Sequence, residues 1–195
     1  MAKVYLSPSA QSKNIGYGNY KTERSRCEQI ARVTETKLKE RGITVYWPTA
    51  DDMYDRVAEA NKIGVDVYIP IHTNAGGGRG CEVIVLDKLA VHSKKYVADS
   101  KRLASFVYKR ISEITPSGDR GVKVDGYNFY EAREPAAACC YLEVAFHDNK
   151  DDAEWIIDNI ELIGTEIAKA ICEYLGVTYE LPEIAVETPG DSLLY

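Results

Sequence analysis

Two segments of this chain end an apolar run on a side chain capable of acid–base or metal chemistry. Ile69-Pro70-Ile71-His72-Thr73-Asn74 sets an imidazole at the end of a strand-like stretch. Tyr141-Leu142-Glu143-Val144-Ala145-Phe146 embeds a carboxylate among apolar neighbours. A carboxylate so placed is expected to be buried, and an unpaired buried charge is costly. Glu143 must therefore meet a cation, bind a metal, or take on the raised pKa that suits a general base. An ion pair with Arg133 would be its purely structural solution. Glu23, where a helix-like stretch begins, has a weaker case alone, because a first-turn carboxylate usually just complements the helix dipole. A single strand-end histidine is likewise more often structural. Gathered in one place, Glu23, His72 and Glu143 would offer an imidazole and two carboxylates, groups able to hold a divalent metal or to move a proton.

Such a site needs elements that bring distant segments together. Strand-like and helix-like stretches alternate, which predicts a layered α/β domain. Residues 3–7 read as a first strand. Thr22 caps a helix running to about Arg41, with Cys27, Ile30, Ala31, Thr34 and Leu38 on one face. Residues 43–47 form a second strand, and Thr49, Asp51 and Asp52 open a helix that ends near Gly64. Residues 66–72 form the strand that delivers His72. Residues 82–86 form the next, followed by a helix from about Ser93 to Ile114. Residues 127–132 and 138–146 read as the last strands. Asn149 caps one long helix to Leu175, whose stripe Ile156, Ile160, Ile163, Ile167, Ile171, Leu175 keeps a helical period. In an open α/β sheet ligands bind beyond the carboxyl ends of the strands. His72, Glu143 and the stretch Ser7-Pro8-Ser9-Ala10-Gln11 all fall there.

The 195 residues suit one domain over 1–176, followed by a Pro-containing tail or linker over 177–195. A net charge of -6 weighs against a nucleic-acid partner. No apolar run approaches the roughly 20 residues that cross a bilayer, so no membrane partner is expected. The amino terminus lacks the charged start and apolar core of a signal peptide, which predicts synthesis in the cytoplasm. The five cysteines are an odd number without CxxC spacing, and are expected to be buried small hydrophobes rather than a disulfide framework or thiolate zinc site. His92, in a Lys-rich stretch, reads as a solvated surface residue.

Taken in order, several segments resemble the zinc-dependent N-acetylmuramoyl-L-alanine amidases of the Amidase_3 type, which include phage endolysins. They are Thr22-Glu23; Arg56 and Ala60-Asn61; Ile69-Pro70-Ile71-His72-Thr73-Asn74-Ala75; Gly80-Cys81-Glu82-Val83; Asp119-Arg120-Gly121-Val122-Lys123; and Tyr141-Leu142-Glu143-Val144-Ala145-Phe146-His147-Asp148-Asn149. The resemblance spans residues 3–176. It implies a single domain with a mixed, mostly parallel sheet of about six strands flanked by helices, and one Zn²⁺ or another divalent metal. It also implies hydrolysis of the amide bond between N-acetylmuramic acid and L-alanine in peptidoglycan or muropeptides, with action on the cell wall after release. Glu23 and His72 match metal ligands and Glu143 matches the general base. The family's first histidine ligand falls on Ala10, whose methyl group binds no metal. Two residues are candidates for the third ligand. Gln11 offers a carboxamide oxygen. His147 lies four residues past Glu143, roughly 13 Å along a continued strand at about 3.3 Å per residue, so the chain would have to bend after Phe146. Asn74 and Arg133 are expected at the substrate mouth, and Tyr17 and Tyr20 in the 14–20 loop are candidates to pack against sugar. The alternative function is a peptidoglycan-binding module of the same fold that has lost metal and activity.

Overall fold

The computed structural model describes residues 1–86, 94–118, 120–124 and 129–179. The expectations for His92, for the helix start at Ser93, for Asp119 and Tyr127, and for the tail beyond Tyr179 lie outside those residues. Strand β1 (Lys3–Pro8) is buried from Val4 onward. It lies parallel between β2 (Thr44–Tyr46) and β3 (Val67–Asn74). Seven of the eight residues of β3 are buried, as a strand covered on both faces requires, which is why it reads as a continuous apolar run. The start of β3 pairs with the short β6 (Ala138–Cys139) and its end with β7 (Tyr141–Phe146), both parallel. On the far side of β7, β4 (Glu82–Val85) runs antiparallel, and β5 (Val122–Val124) pairs parallel with β4 as an exposed edge strand. The order is β2-β1-β3-β7-β4-β5, a mixed and mostly parallel sheet of seven strands among the described residues.

Helices α1 (Glu23–Lys39), α3 (Val97–Ile114) and α6 (Ile160–Leu175) cover one face over a core that includes Leu6, Ile69, Ile71, Leu142, Val144 and Ile167. Helix α2 (Met53–Ile63) covers the other face, where Val57 and Ala60 meet Tyr5, Tyr68 and Cys139. Alternate strand residues thus feed the two layers. Cys139 lies in one core and Cys140 in the other, and all five cysteines are buried. Successive crossovers from β1 leave through α1 on one face and α2 on the other. The boundary between β1 and β3 is therefore the topological switch point where a crevice opens.

Three local expectations are corrected, and one strand was not anticipated. The 127–132 strand is instead, within its described part, a single helical turn, α4 (Tyr130–Arg133). Its adjacent Glu131 and Ala132 are both buried, which an alternating strand beside a single core would not allow. The long last helix is two, α5 (Lys150–Asp158) and α6, separated at Asn159. The apolar stripe survives because Ile156, Ile163, Ile167 and Ile171 all enter the same core. The second helix is capped by Asp52, not Thr49: its carboxylate accepts from the Tyr54 N–H at 2.8 Å. Strand β5 carried no apolar signal strong enough to read, being exposed along its length.

Candidate active site

Three elements converge at the switch point. The register of β3 and β7 sets His72 directly beside Glu143, and it slips between His72 and Asn74, so the strand is irregular where the site begins. Thr22 caps α1 through its side chain and places Glu23 as the first helical residue, turned inward and 1% exposed. Glu23 Oε1 lies 2.8 Å from His72 Nδ1, and its other oxygen accepts from Asn14 Nδ2 at 2.8 Å. Burial would raise the Glu23 pKa, but the bonds from His72 and Asn14 outweigh it and hold the group below the ordinary carboxylate value.

The sequence did not flag Glu131 or Asn14. Glu131 Oε2 sits 3.8 Å from His72 Nε2, on the opposite side of the ring from Glu23. Its Oε1 accepts from the hydroxyls of Ser7 (2.5 Å) and Tyr68 (2.6 Å). Burial would raise its pKa, yet His72, Ser7 and Tyr68 bring it down. Arg56 extends the network, donating to Ser7 Oγ at 3.2 Å and to the Pro8 carbonyl at 2.6 Å. The signal that would have found Glu131 is the one used for Glu143, a carboxylate in an apolar stretch, here Phe129-Tyr130-Glu131-Ala132.

His72 is stacked on Tyr141, ring centroids 4.5 Å apart. Burial favours its neutral form, but the carboxylates of Glu131 and Glu23, with Glu143 behind them, raise its pKa from 6.5 to about 9. Glu143 is 8% exposed, and its Oε2 has no hydrogen-bond partner among the described residues. Burial pushes its pKa up to about 8; the charge of His72 opposes this, while Glu23 and Glu82 add to it. The cation beside Glu143 is therefore an imidazole, and Arg133 pairs with Glu134 at 2.6 Å.

His72, Tyr141 and Glu131 line a cleft of about 360 Å³ together with Gln11, Arg56 and Tyr130. The remaining expected residues divide. Gln11 reaches Glu23 only through Asn14, whose amide donates to its side-chain oxygen at 2.7 Å. His147 is brought near β3 by the bend after Phe146, but its Nδ1 is turned to Thr73, 2.9 Å from both the carbonyl and the hydroxyl oxygen. Because a carbonyl only accepts, Nδ1 carries the proton there. The ring stacks on Tyr20, which is itself buried, with its hydroxyl 2.7 Å from that of Thr73. Tyr20 is thus a core residue with no face left for sugar, while Tyr17 is exposed. Asn74 donates to Glu82 Oε1 at 2.9 Å, and Arg133 lies over the Tyr130 ring at the edge of the cleft.

A hydrolytic zinc site typically takes three protein ligands and leaves a fourth position open. On the resemblance, Glu23 and His72 would supply two. Ala10 contributes nothing, and among the described residues no group of three or more His, Cys, Asp or Glu side chains could hold a metal ion. The donor set does not fit a three-ligand zinc.

Comparison with known proteins gives a consistent result. The Amidase_3 family, described as N-acetylmuramoyl-L-alanine amidase, matches residues 4–173. The sporulation-specific N-acetylmuramoyl-L-alanine amidase of Bacillus subtilis (strain 168) is 28% identical over 160 residues, 78% of this chain and 59% of its own length. The N-acetylmuramoyl-L-alanine amidase CwlM of Bacillus licheniformis is 27% identical over 161 residues, covering 79% of this chain and 60% of its own. The chain spans about three fifths of the length of these two relatives. Among solved structures, the catalytic domain of CwlV, an N-acetylmuramoyl-L-alanine amidase from Bacillus (Paenibacillus) polymyxa var. colistinus, aligns with a TM-score of 0.79 at 24% identity. That alignment covers 91% of this chain and 100% of the other, and it establishes a shared fold.

Proposed function

The chain belongs to the Amidase_3 family of N-acetylmuramoyl-L-alanine amidases, and on that premise we propose that it cleaves the amide bond between N-acetylmuramic acid and L-alanine in peptidoglycan or muropeptides. The observation that carries the reading is the pairing of His72 with Glu143 on adjacent strands at the switch point, closed by Glu23 from α1. An amide resists water because its nitrogen lone pair is delocalised and the tetrahedral intermediate bears an oxyanion. Hydrolysis therefore needs a proton carrier for the attacking water and the leaving amine, and positive charge near the oxyanion. Glu143, with a pKa of about 8, exchanges its proton near neutral pH and is the proposed carrier. His72, one strand away, is held toward its cationic form by Glu131 and Glu23. Asn74 and Arg133 are proposed contacts for stem-peptide carbonyls and carboxylates at the mouth, and the wall is the proposed place of action.

The family is generally zinc-dependent. One zinc held by Glu23 and His72 is what the resemblance implies for this chain. Because the donor set falls one ligand short, the roles above are assigned to the chain's own residues.

A second reading, a module that grips peptidoglycan without cutting it, is favoured by Ala10 standing where the third donor would be. One assay separates the two. Purified peptidoglycan is incubated with the protein and newly exposed α-amino groups of alanine are counted over time. Hydrolysis predicts release that Glu143→Gln lowers roughly 100-fold or more, since general acid–base groups contribute about that much. Binding to the wall with no release by the wild type would leave only the binding reading.

A further inference from the structure

The two residues that the resemblance assigns to a metal, Glu23 and His72, face each other directly. Glu23 Oε1 lies 2.8 Å from His72 Nδ1, within direct hydrogen-bonding reach. Glu131 Oε2 lies 3.8 Å from Nε2, at the other end of the ring. The two carboxylates face different nitrogens, so His72 cannot share one cation with both. Each is also anchored from behind: Glu23 by Asn14 Nδ2 at 2.8 Å, and Glu131 by the hydroxyls of Ser7 and Tyr68 at 2.5 and 2.6 Å. Glu131 and Glu23 are 6% and 1% exposed, so the bracket is built into the interior. Ala10 and Gln11, both on the cleft wall, complete no ligand set.

We propose that this chain has exchanged the family's metal site for a carboxylate–imidazole–carboxylate bracket, Glu23–His72–Glu131, which fixes the imidazole by hydrogen bonding and charge, and that the folded protein takes up no stoichiometric zinc. Glu131 is then a positioning residue that acts on Nε2 by charge from 3.8 Å, the nitrogen having no hydrogen-bond partner among the described residues, whereas Glu23 bonds Nδ1 directly. The inference concerns metal content alone, and it stands or falls whether or not the chain cuts peptidoglycan.

The test uses the untagged full-length protein, equilibrated with Zn²⁺ and then dialysed against zinc-free buffer without chelator. Elemental analysis is expected to find far less than one zinc per chain, with a melting temperature unmoved by Zn²⁺ or EDTA. Ala10→His, which adds an imidazole on the cleft that His72 also lines, is expected to retain about one zinc per chain and to melt higher with the metal than without it. Wild-type protein that keeps one zinc per chain, released by Glu23→Gln or His72→Asn variants that circular dichroism shows to be folded, would overturn the proposal. Amide release, measured separately on the same preparations, reports on the hydrolase reading and not on this one.

Discussion

At the scale of single residues the site turns on how neighbours set proton affinity. Glu131→Gln removes one carboxylate from His72 while keeping the shape of the side chain. The imidazole pKa, about 9 in the folded protein, is expected to fall by at least about one unit, because losing an adjacent opposite charge typically costs that much. Following the His72 ring resonances by NMR across the titration checks this, and an unchanged midpoint would remove Glu131 from the account. His72 and Glu143 were legible in the sequence because an ionisable group at the end of, or inside, an apolar run must be given a partner. Glu131 was equally visible by that logic, but the aromatic residues around it favoured a strand. A strand would have sent Glu131 and Ala132 to opposite faces, whereas one turn of helix buries both. Which way the Gln11 and His147 side chains turn was not legible at all, since it depends on Asn14 and Thr73, contacts that close only in the folded chain.

At the scale of elements, the position of Glu23 depends on how closely α1 packs against α6. Gly164 on α6 faces α1 so closely that an added Cβ would lie 2.6 Å from Val33 Cβ and 2.7 Å from the Ile30 carbonyl oxygen. The Thr34 hydroxyl also donates to the Gly164 carbonyl at 3.0 Å. Gly164→Ala would therefore push the helices apart despite the better helix propensity of alanine. We expect a loss of about 1–3 kcal/mol, the range for overpacking a tight interior. Urea unfolding of the variant checks this; stability equal to or above wild type would show that the interface yields freely. Asn149, whose side chain accepts from the Asp151 and Asp152 N–H groups, caps α5. Asn149→Ala should cost about 1 kcal/mol in the same measurement. The sequence revealed this cap and the α6 stripe, because capping and helical period are local. The break at Asn159 stayed hidden, because α5 and α6 send their apolar residues into one core and the period runs through it.

At the scale of the molecule, the buried charges set the pH dependence of stability. Glu143 has a folded pKa of about 8 against an ordinary value of 4.5, and His72 about 9 against 6.5. For both, the native state binds more protons than the unfolded chain between those values. Their contribution is therefore complete at the lower value and is lost as pH rises through the upper one. Glu23 and Glu131 are lowered, so theirs is present above the ordinary carboxylate value and lost as pH falls through the depressed one. The melting temperature should be highest near about pH 5 and decline toward about pH 9, more steeply above about pH 6.5, where the loss from His72 joins that from Glu143. Glu143→Gln should flatten that alkaline decline, and an undiminished decline in the variant would contradict the burial-driven shift. The layered α/β class was legible from alternation alone, while the antiparallel placing of β4 was not, since strand direction is decided by contacts far apart in sequence. The central claim is hydrolysis of one particular bond, and mass spectrometry of the products tests it most directly. Muropeptides incubated with the protein should be replaced by two species, a disaccharide with a free lactyl carboxyl and a peptide with a free amino-terminal alanine, together heavier than the substrate by one water. Muropeptides recovered intact, or cut at any other bond, would contradict the account.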